Sequence, residues 1–315
     1  MKLYSSIDEF KTLQNAVVTI GTFDGVHIGH QKIIQRVNEI AQALGGESVV
    51  LTFFPHPRMV LYPDDHGLLL LNTLDEKKKL LEQYGVQHLI VHPFSQKFSR
   101  TSVTEYVRDM LVNKIGTKKL VIGYDHHFGR NREGTLKDLQ ELGGVYNFEV
   151  EEIPEQDIHD VAVSSTKIRN SLLEGDVTTA REFLGYDYSL SGIVIKGKEI
   201  GRTLGFPTAN VHVTENYKLI PPKGIYAVTV EIPSMQKKDA KRQEIGMLSI
   251  GTRPTFDDGE ISIEVNILNF EKNIYGERIT VSFKSRLRDE LKFDTAEALI
   301  KQMEKDKENT LKLFF

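Results

Sequence analysis

One stretch decides the fold of the first half of the chain: Val17-Val18-Thr19-Ile20-Gly21-Thr22-Phe23-Asp24-Gly25-Val26-His27-Ile28-Gly29-His30-Gln31. Its first four residues are apolar or β-branched and indicate a buried strand, which runs directly into a glycine-rich turn. Apolar residues at helical spacing follow, which predicts a helix over residues 28–44. A strand, a tight turn and a helix in this order are typical of the β-α-β unit of a parallel sheet.

The same alternation of strand and helix extends over the first half of the chain. Buried strands are predicted at residues 17–20, 49–54, 88–91 and 120–122, and helices at residues 28–44, 74–84 and 103–115. This order predicts a parallel sheet, and the ligands of such sheets bind beyond the carboxyl ends of the strands. The loops that follow the strands are therefore expected to carry the function.

The pattern changes in the second half. Short segments, several with period-two alternation, occur at residues 189–196, 225–232, 244–250, 261–268 and 278–283. They predict the antiparallel strands of a small β-barrel, followed by an amphipathic helix over residues 294–305. We therefore expect an α/β chain of two domains, residues 1–185 and 186–315. Residues 234–243, rich in Lys and Gln, are expected to form an exposed hairpin loop.

The composition agrees with two folded domains in a chain of 315 residues. Because the net charge is −4, no global attraction to nucleic acid or anionic lipid is expected.

The longest aliphatic run, residues 68–71, is far shorter than the ~20 apolar residues of a membrane helix. The chain has no cysteine and its start lacks the apolar core of a secretory signal, which favours a cytoplasmic location. The sequence indicates no particular oligomeric state.

The glycine-rich turn is the first candidate site. Its backbone N–H groups can approach an oxyanion, and the following helix adds partial positive charge. His27 and His30 lie three residues apart and can both present a ring N–H to phosphate oxygens. The alternatives are two unrelated surface histidines or a half-formed zinc site, but zinc needs further ligands that this spacing does not supply.

Residues 164–169, Ser-Ser-Thr-Lys-Ile-Arg, open another predicted helix and form either an ordinary cap or a second part of a nucleotide site.

The second candidate site lies in the β half. Residues 192–210 contain glycines around Lys196, Lys198 and Arg202 but no Walker motif, and they form either a cationic flap over polyphosphate or a solvated turn. In residues 261–268, period two places Glu264 on the polar face of a strand. From this pattern alone, a solvated carboxylate is the ordinary interpretation.

Four motifs of the first half resemble the nucleotidyltransferase module of bacterial FAD synthetases. They are the His-x-Gly-His turn, Ser-Ser-Thr-x-Ile-Arg at residues 164–169, Thr-Phe-Phe-Pro-His-Pro at residues 52–57, and residues 123–130. The resemblance implies a Rossmann-like domain in which the phosphate of FMN attacks the α-phosphorus of ATP and pyrophosphate leaves. It implies catalytic His27 and His30, ATP binding by Gly21, Phe23, Gly29, Ser164, Ser165, Thr166 and Arg169, and flavin binding by Phe54, Asp125 and Phe128. One departure is His126, where the family more often has Phe.

The second half resembles the riboflavin kinases. The resemblance lies in Gly-Phe-Pro-Thr-Ala-Asn at residues 205–210, and in residues 250–256, 275–276 and 287–293. It implies a kinase-like barrel in which Thr208 and Asn210 hold Mg²⁺ beside the ATP phosphates and Glu264 is the general base. It further implies a catalytic Asn210, ATP binding by Gly197, Lys198, Arg202 and Thr208, and flavin binding by Arg288. Asn266 and Asn269 stand where the family commonly has His and Asp.

These resemblances predict a bifunctional enzyme that uses ATP with Mg²⁺ to convert riboflavin to FMN and FMN to FAD. The expected partners are the small molecules ATP, riboflavin and FMN. Two alternatives remain at this point: a flavin- or nucleotide-binding regulatory protein without chemistry, and a riboflavin kinase whose adenylyltransferase domain is inactive or has another specificity.

Overall fold

The structure, a computed structural model, describes residues 1–63, 67–124, 127–154, 163–197, 201, 204–235, 243–252 and 261–315. The chain divides into two compact units, Met1–Ser165 and Thr166–Phe315. Most of the expected hairpin loop, residues 236–242, lies outside the described residues. The functional boundary expected between residues 185 and 186 stays a prediction.

A parallel sheet forms the centre of the first unit. Its strands are β1 (Lys2–Tyr4), β2 (Ala16–Ile20), β3 (Glu47–Phe54), β4 (His88–Pro93), β5 (Thr117–Gly123) and β6 (Glu149–Ile153). Neighbouring strands all pair in parallel, in the order β1-β4-β3-β2-β5-β6, which confirms the predicted sheet. The two edge strands were not predicted, because β1 has three residues and β6 contains three glutamates.

Helices connect the strands of this sheet. They are α1 (Ile28–Ala43), α2 (Pro57–Leu61), α3 (Leu74–Gln83), α4 (Val103–Glu105) with a π-helical continuation Tyr106–Ile115, and α5 (Leu136–Tyr146). Short 3₁₀ turns lie at Ile7–Glu9, Phe98–Arg100 and Arg130–Arg132. The apolar stripe of α1, with Ile33, Val37 and Ile40, packs in one cluster with Val17 and Val121 of the sheet.

A closed antiparallel barrel forms the second unit. Its strands are β7 (Ser189–Ile195), β8 (Ala209–His212), β9 (Gly224–Glu231), β10 (Gln243–Thr252), β11 (Ile261–Ile267) and β12 (Arg278–Arg288). They close in the order β10-β11-β8-β7-β12-β9, which confirms the predicted barrel. The remaining elements are α6 (Ser165–Leu173), which begins at the last residue of the first unit, α7 (Val177–Leu184), a 3₁₀ turn Pro233–Met235 and α8 (Ala296–Lys312).

The C-terminal helix covers part of the outer surface of the barrel. Ile300, Met303 and Leu311 of α8 pack in a cluster with Phe206 and Met247. The helix confirms the predicted terminal helix and is longer than expected, because it continues to Lys312. Among the helices in the described ranges, none is long and apolar enough to cross a membrane.

The connection from α1 to β3 depends on two glycines with different constraints. Gly45 has a left-handed φ of 58°, but a Cβ at this residue would meet no atom within 4 Å. Gly46 has no left-handed φ, but its Cβ would lie 2.0 Å from the carbonyl oxygen of Asn15. Steric contact with the backbone, and not φ, therefore requires glycine at residue 46.

We predict that Gly46→Ala destabilises the first unit more than Gly45→Ala does. Gly45→Ala should lower the free energy of unfolding by about 1 kcal/mol through left-handed strain. Gly46→Ala should lower it by roughly 2–3 kcal/mol, because the strand start has to move away from Asn15. Urea unfolding followed by far-UV circular dichroism measures both values. Equal losses in the two variants would show that the connection relaxes freely.

Candidate active sites

The phosphate turn, defined as residues 21–27, connects β2 to α1 at the carboxyl edge of the sheet. The N–H of Gly21 donates to the carbonyl oxygen of Leu51 at 3.1 Å, which fixes the start of the turn on β3. Phe23 and Val26 have φ values of 46° and 37°, a left-handed conformation that is uncommon for residues with bulky side chains. Backbone strain of this kind is concentrated at ligand-binding sites.

The two histidines of this region stack on each other. The ring centroids of His27 and His30 are 3.7 Å apart, with 20° between the ring planes. Nδ1 of His27 accepts a hydrogen bond from the N–H of His30 at 3.4 Å and caps α1. Burial, followed by electrostatic interactions with His27 and Lys77, holds the pKa of His30 well below its ordinary value. His30 is therefore a neutral imidazole at pH 7.

Groups from β3, from α3 and from the segment before α3 make hydrogen bonds to the phosphate turn. The carbonyl oxygen of Thr22 accepts a hydrogen bond from Nζ of Lys77 at 2.7 Å and another from Oγ1 of Thr52 at 3.3 Å. Oδ1 of Asp24 accepts from the N–H of Leu71 at 2.9 Å. Lys77 and Asp24 are 4% and 1% exposed, so a buried lysine lies against the turn and a buried carboxyl group lies within it.

Of the predicted motif at residues 164–169, Ser165 contacts the phosphate turn. The hydroxyl of Ser165 donates to the carbonyl oxygen of Asp24 at 2.9 Å. Ser164 and Thr166 are exposed beside it, and Arg169 lies one turn further along α6 and is partly exposed. Ser165, the first residue of α6, is therefore the residue of this motif that contacts the phosphate turn.

The predicted residues of the second site lie on adjacent strands of the barrel. Glu264 of β11 pairs directly with Asn210 of β8, and Oγ1 of Thr208 donates to Oε2 of Glu264 at 3.1 Å. Gly197 approaches the same cluster, because a Cβ at this residue would lie 2.2 Å from Nδ2 of Asn210. The barrel therefore places a hydroxyl, an amide and a carboxylate together against a glycine backbone.

A cavity of about 400 Å³ adjoins this cluster. Thr208 lines it on one side, and Val194 and Val265 contribute apolar surface from β7 and β11. Phe270, Lys272 and Tyr275 line it from the loop that follows β11. Lys198 and Arg202, the expected cationic residues of the flap, lie outside the described residues.

Comparison with known families covers both units. Residues 9–167 match the family described as FAD synthetase, and residues 184–314 match the family described as riboflavin kinase. A curated bifunctional riboflavin kinase/FMN adenylyltransferase from Listeria monocytogenes is 39% identical over 95% of this chain and 93% of its own length. The chain belongs to this bifunctional family.

Further relatives extend over the same length. The bifunctional riboflavin kinase/FMN adenylyltransferase of Bacillus subtilis is 37% identical over 95% of this chain and 92% of its own length. A crystal structure from Streptococcus pneumoniae, described as a macrolide-efflux protein, is 32% identical and has a TM-score of 0.86, covering 98% of this chain and 97% of that chain. The likeness therefore includes both the FAD synthetase half and the kinase half.

The predicted flavin contacts of the FAD synthetase half differ in exposure. Phe54, at the carboxyl end of β3, is partly exposed and packs against the cluster that contains Phe23. Phe128 is 6% exposed, and its ring centroid lies 5.5 Å from that of Tyr106 in the hydrophobic core. Asp125, like the departure His126, lies outside the described residues. Flavin binding by Phe54, Asp125 and Phe128 stays a prediction.

Two further residues of the kinase half have defined partners. The guanidinium of Arg288 binds Asp306 of α8, with Nη2 2.7 Å from Oδ2 and Nε 3.1 Å from Oδ1, so it ties β12 to the terminal helix. Nδ2 of Asn266, one of the family departures, donates to the carbonyl oxygen of Pro207 at 2.7 Å. Asn266 thereby holds the segment that carries Thr208.

No role was predicted for Lys77, which contacts the phosphate turn, or for Asp24, which is part of it. Lys77 lies three residues after Leu74 and four before Leu81, on the apolar stripe of α3. A lysine at a buried position of an amphipathic helix is the signal that identifies it. Its partner is not predictable, because Thr22 is 55 residues away along the chain.

We predict that His30 stays neutral at pH values where a solvated histidine is protonated. The cause of the low pKa is burial of the ring, followed by electrostatic interactions with His27 and Lys77. An NMR titration of the imidazole ¹³Cε1 resonance, assigned by comparison with His30→Gln, measures the midpoint. It should lie well below the ordinary value of about 6.5. A midpoint at or above this value would contradict the buried, neutral state.

Proposed function

We propose that the chain makes FMN and FAD: the second unit phosphorylates riboflavin with ATP, and the first unit adenylylates FMN with ATP and releases pyrophosphate. The observation that carries this proposal is the match of both families within one chain. Curated relatives whose names contain both activities align with 95% of its length. The expected substrates are the small molecules ATP, riboflavin and FMN.

We place the functional boundary between residues 185 and 186, with the adenylyltransferase domain at residues 1–185 and the kinase domain at residues 186–315. Residues 168–183, which form most of α6 and α7, lie between the two family matches. This boundary keeps α6, which starts with Ser165, in the domain of the phosphate turn. Because both reactions consume ATP, we place the enzyme in the cytoplasm.

In adenylyl transfer, a phosphate oxygen of FMN forms a bond to the α-phosphorus of ATP while the bond to the pyrophosphate oxygen breaks. The ring N–H groups of His27 and His30 and the backbone N–H groups near Gly29 would donate to the phosphate oxygens as charge develops, and Gly21 would let the turn approach ATP closely. Phe23 would shape the turn. Ser164, Ser165, Thr166 and Arg169 would bind the distal phosphates at the start of α6. No covalent enzyme intermediate is required, so the domain acts by positioning and by stabilising charge.

In riboflavin phosphorylation, a ribityl hydroxyl attacks the γ-phosphorus of ATP and ADP leaves. Glu264 would accept the hydroxyl proton as the general base. The hydrogen bond from Thr208 holds Oε2 of this carboxylate in place, and the amide of Asn210 faces the same site from β8. The cavity beside the cluster offers apolar walls for a ring system.

Thr208 and Asn210 fit a magnesium ion that is bound together with ATP. They supply a hydroxyl and an amide oxygen, and Mg²⁺ prefers hard oxygen ligands. Since Thr208 uses its hydroxyl proton in the bond to Glu264, its oxygen lone pairs can face a cation. Within the described part of the chain, no group of three His, Cys, Asp or Glu side chains could hold a metal ion, so ATP phosphates and water would complete the coordination. When bound, the ion would neutralise charge on the transferred phosphoryl group.

We predict that the two activities separate by mutation. His30→Ala should lower FAD formation from FMN and ATP by at least about 100-fold, because a phosphate donor is lost, and should spare FMN formation. Glu264→Gln should lower FMN formation from riboflavin by at least about 100-fold and spare FAD formation when FMN is supplied. Chromatography of the products after incubation with ATP and Mg²⁺ measures both reactions.

The matched control for Glu264→Gln is Glu308→Gln, an exposed residue of α8 that should leave both activities unchanged. A folded variant that loses both activities from one substitution would contradict the assignment of two separate sites. Wild-type protein that makes only FMN would support the single-activity alternative, and protein that makes neither product would support a binding function.

We also predict a change in magnesium dependence. Thr208→Val keeps the side-chain shape but removes the oxygen, so the kinase reaction should need roughly tenfold more Mg²⁺ for half-maximal rate. The exposed Thr214→Val is the control and should leave this requirement unchanged. FMN formation measured over a range of free Mg²⁺ gives both values. An unchanged requirement in Thr208→Val would exclude this residue as a metal ligand.

A further inference from the structure

Lys77 occupies a position that is unfavourable for a charged side chain. It is 4% exposed, and burial lowers its pKa because it disfavours the ammonium form. It is the fourth residue of α3, near the positive end of the helix dipole, where cations are destabilising. A lysine is rarely buried to this extent unless a partner stabilises its charge.

The partners of Lys77 belong to the phosphate turn. Its Nζ donates to the carbonyl oxygen of Thr22 at 2.7 Å, and the carboxylate of Asp24 stabilises its charge. Asp24 is itself fixed, because its Oδ1 accepts from the N–H of Leu71 in the segment before α3. The ammonium group of Lys77 is therefore held in one position against the phosphate turn.

The hydrogen bonds of the surrounding structure do not require a charged residue here. The carbonyl of Thr22 also accepts from Oγ1 of Thr52. The start of α3 is already stabilised by a reciprocal capping box, in which Thr73 and Glu76 bind each other's backbone N–H groups. A methionine would fill a similar volume on the apolar stripe. The property of Lys77 that an uncharged side chain could not supply at this position is its positive charge.

We propose that Lys77 is a positioning residue for adenylyl transfer: its buried ammonium holds the phosphate turn through Thr22 and keeps a fixed positive charge beside His30. This inference rests on the adenylyltransferase function proposed for the first unit. The charge acts in two ways on the site. It favours the approach of phosphate anions to the turn, and it disfavours protonation of the neighbouring imidazole.

The electrostatic link between Lys77 and His30 follows from the groups that face this imidazole. Burial contributes most to the low pKa of His30, and electrostatic interactions with His27 at the start of α1 and with Lys77 of α3 contribute after it. Removal of the Lys77 charge should therefore raise the pKa of His30 while burial still holds it below the ordinary value.

The test uses the full chain with three substitutions at one residue. Lys77→Gln keeps a hydrogen-bond donor without charge, Lys77→Met removes both, and Lys77→Arg keeps the charge. The neutral variants should lower kcat of FAD formation from FMN and ATP by about 10- to 100-fold, with a smaller change in KM for FMN. Lys77→Arg should recover most of the rate. The exposed Lys79→Gln should behave as wild type.

Two further measurements separate a positioning role from a structural one. FMN formation by the same protein reports on the second site and should not change in any variant. The NMR titration midpoint of His30 should move to higher pH in Lys77→Gln and Lys77→Met and stay unchanged in Lys79→Gln.

The proposal is overturned if the neutral variants form FAD within about twofold of the wild-type rate. It is also overturned if the rate falls while the His30 midpoint does not move, or if both neutral variants fail to fold, since Lys77 would then be structural. If wild-type protein forms no FAD, the proposed function fails instead. The His30 titration still reports in that case whether the charge of Lys77 acts on this imidazole.

Discussion

The parallel pairing of β2 with β3 on one side and β5 on the other is the constraint on which the first site depends. All five residues of β2 are buried, and the strand ends at Ile20, at the carboxyl edge of the sheet. The phosphate turn starts at this edge, within reach of Thr52 at the end of β3. The positions of the turn and of the histidine pair therefore follow from the packing of β2 in the sheet.

Strand register has the same importance in the second unit. Glu264 faces Asn210 because β11 pairs with β8 in one register, and neighbouring Val265 is fully buried. A shift by one residue would exchange these two side chains and place the carboxylate in the barrel core. The apolar residues of β11 thus specify the position of the proposed base, and Asn266 fixes the adjoining segment through Pro207.

The sequence predicts those parts of the protein in which apolar residues recur at the regular spacing of a strand or a helix. The four central strands, the barrel and α8 have regular apolar spacing, and the His-x-Gly-His turn has its own motif. β1 and β6 lack this spacing because they are short or charged edge strands, and β8 is only four residues long. The link from Lys77 to Thr22 and the bond from Arg288 to Asp306 depend on tertiary packing, which no local pattern encodes.

The proposed kinase site contains the carboxylate Glu264, whereas the phosphate turn has His30 and the buried Lys77. The chemistry of the two nucleophiles gives a reason for this difference. A ribityl hydroxyl is neutral and has to lose a proton as it attacks phosphorus, so a carboxylate such as Glu264 has a task in the kinase reaction. The phosphate of FMN is already an anion and needs no base. Its reaction brings negative groups together, and a neutral His30 with the buried cation of Lys77 behind the turn suits that requirement. The two proposed sites therefore differ in what they supply to the nucleophile: Glu264 would accept its proton in the kinase reaction, and Lys77 would place a positive charge near the phosphate turn in adenylyl transfer.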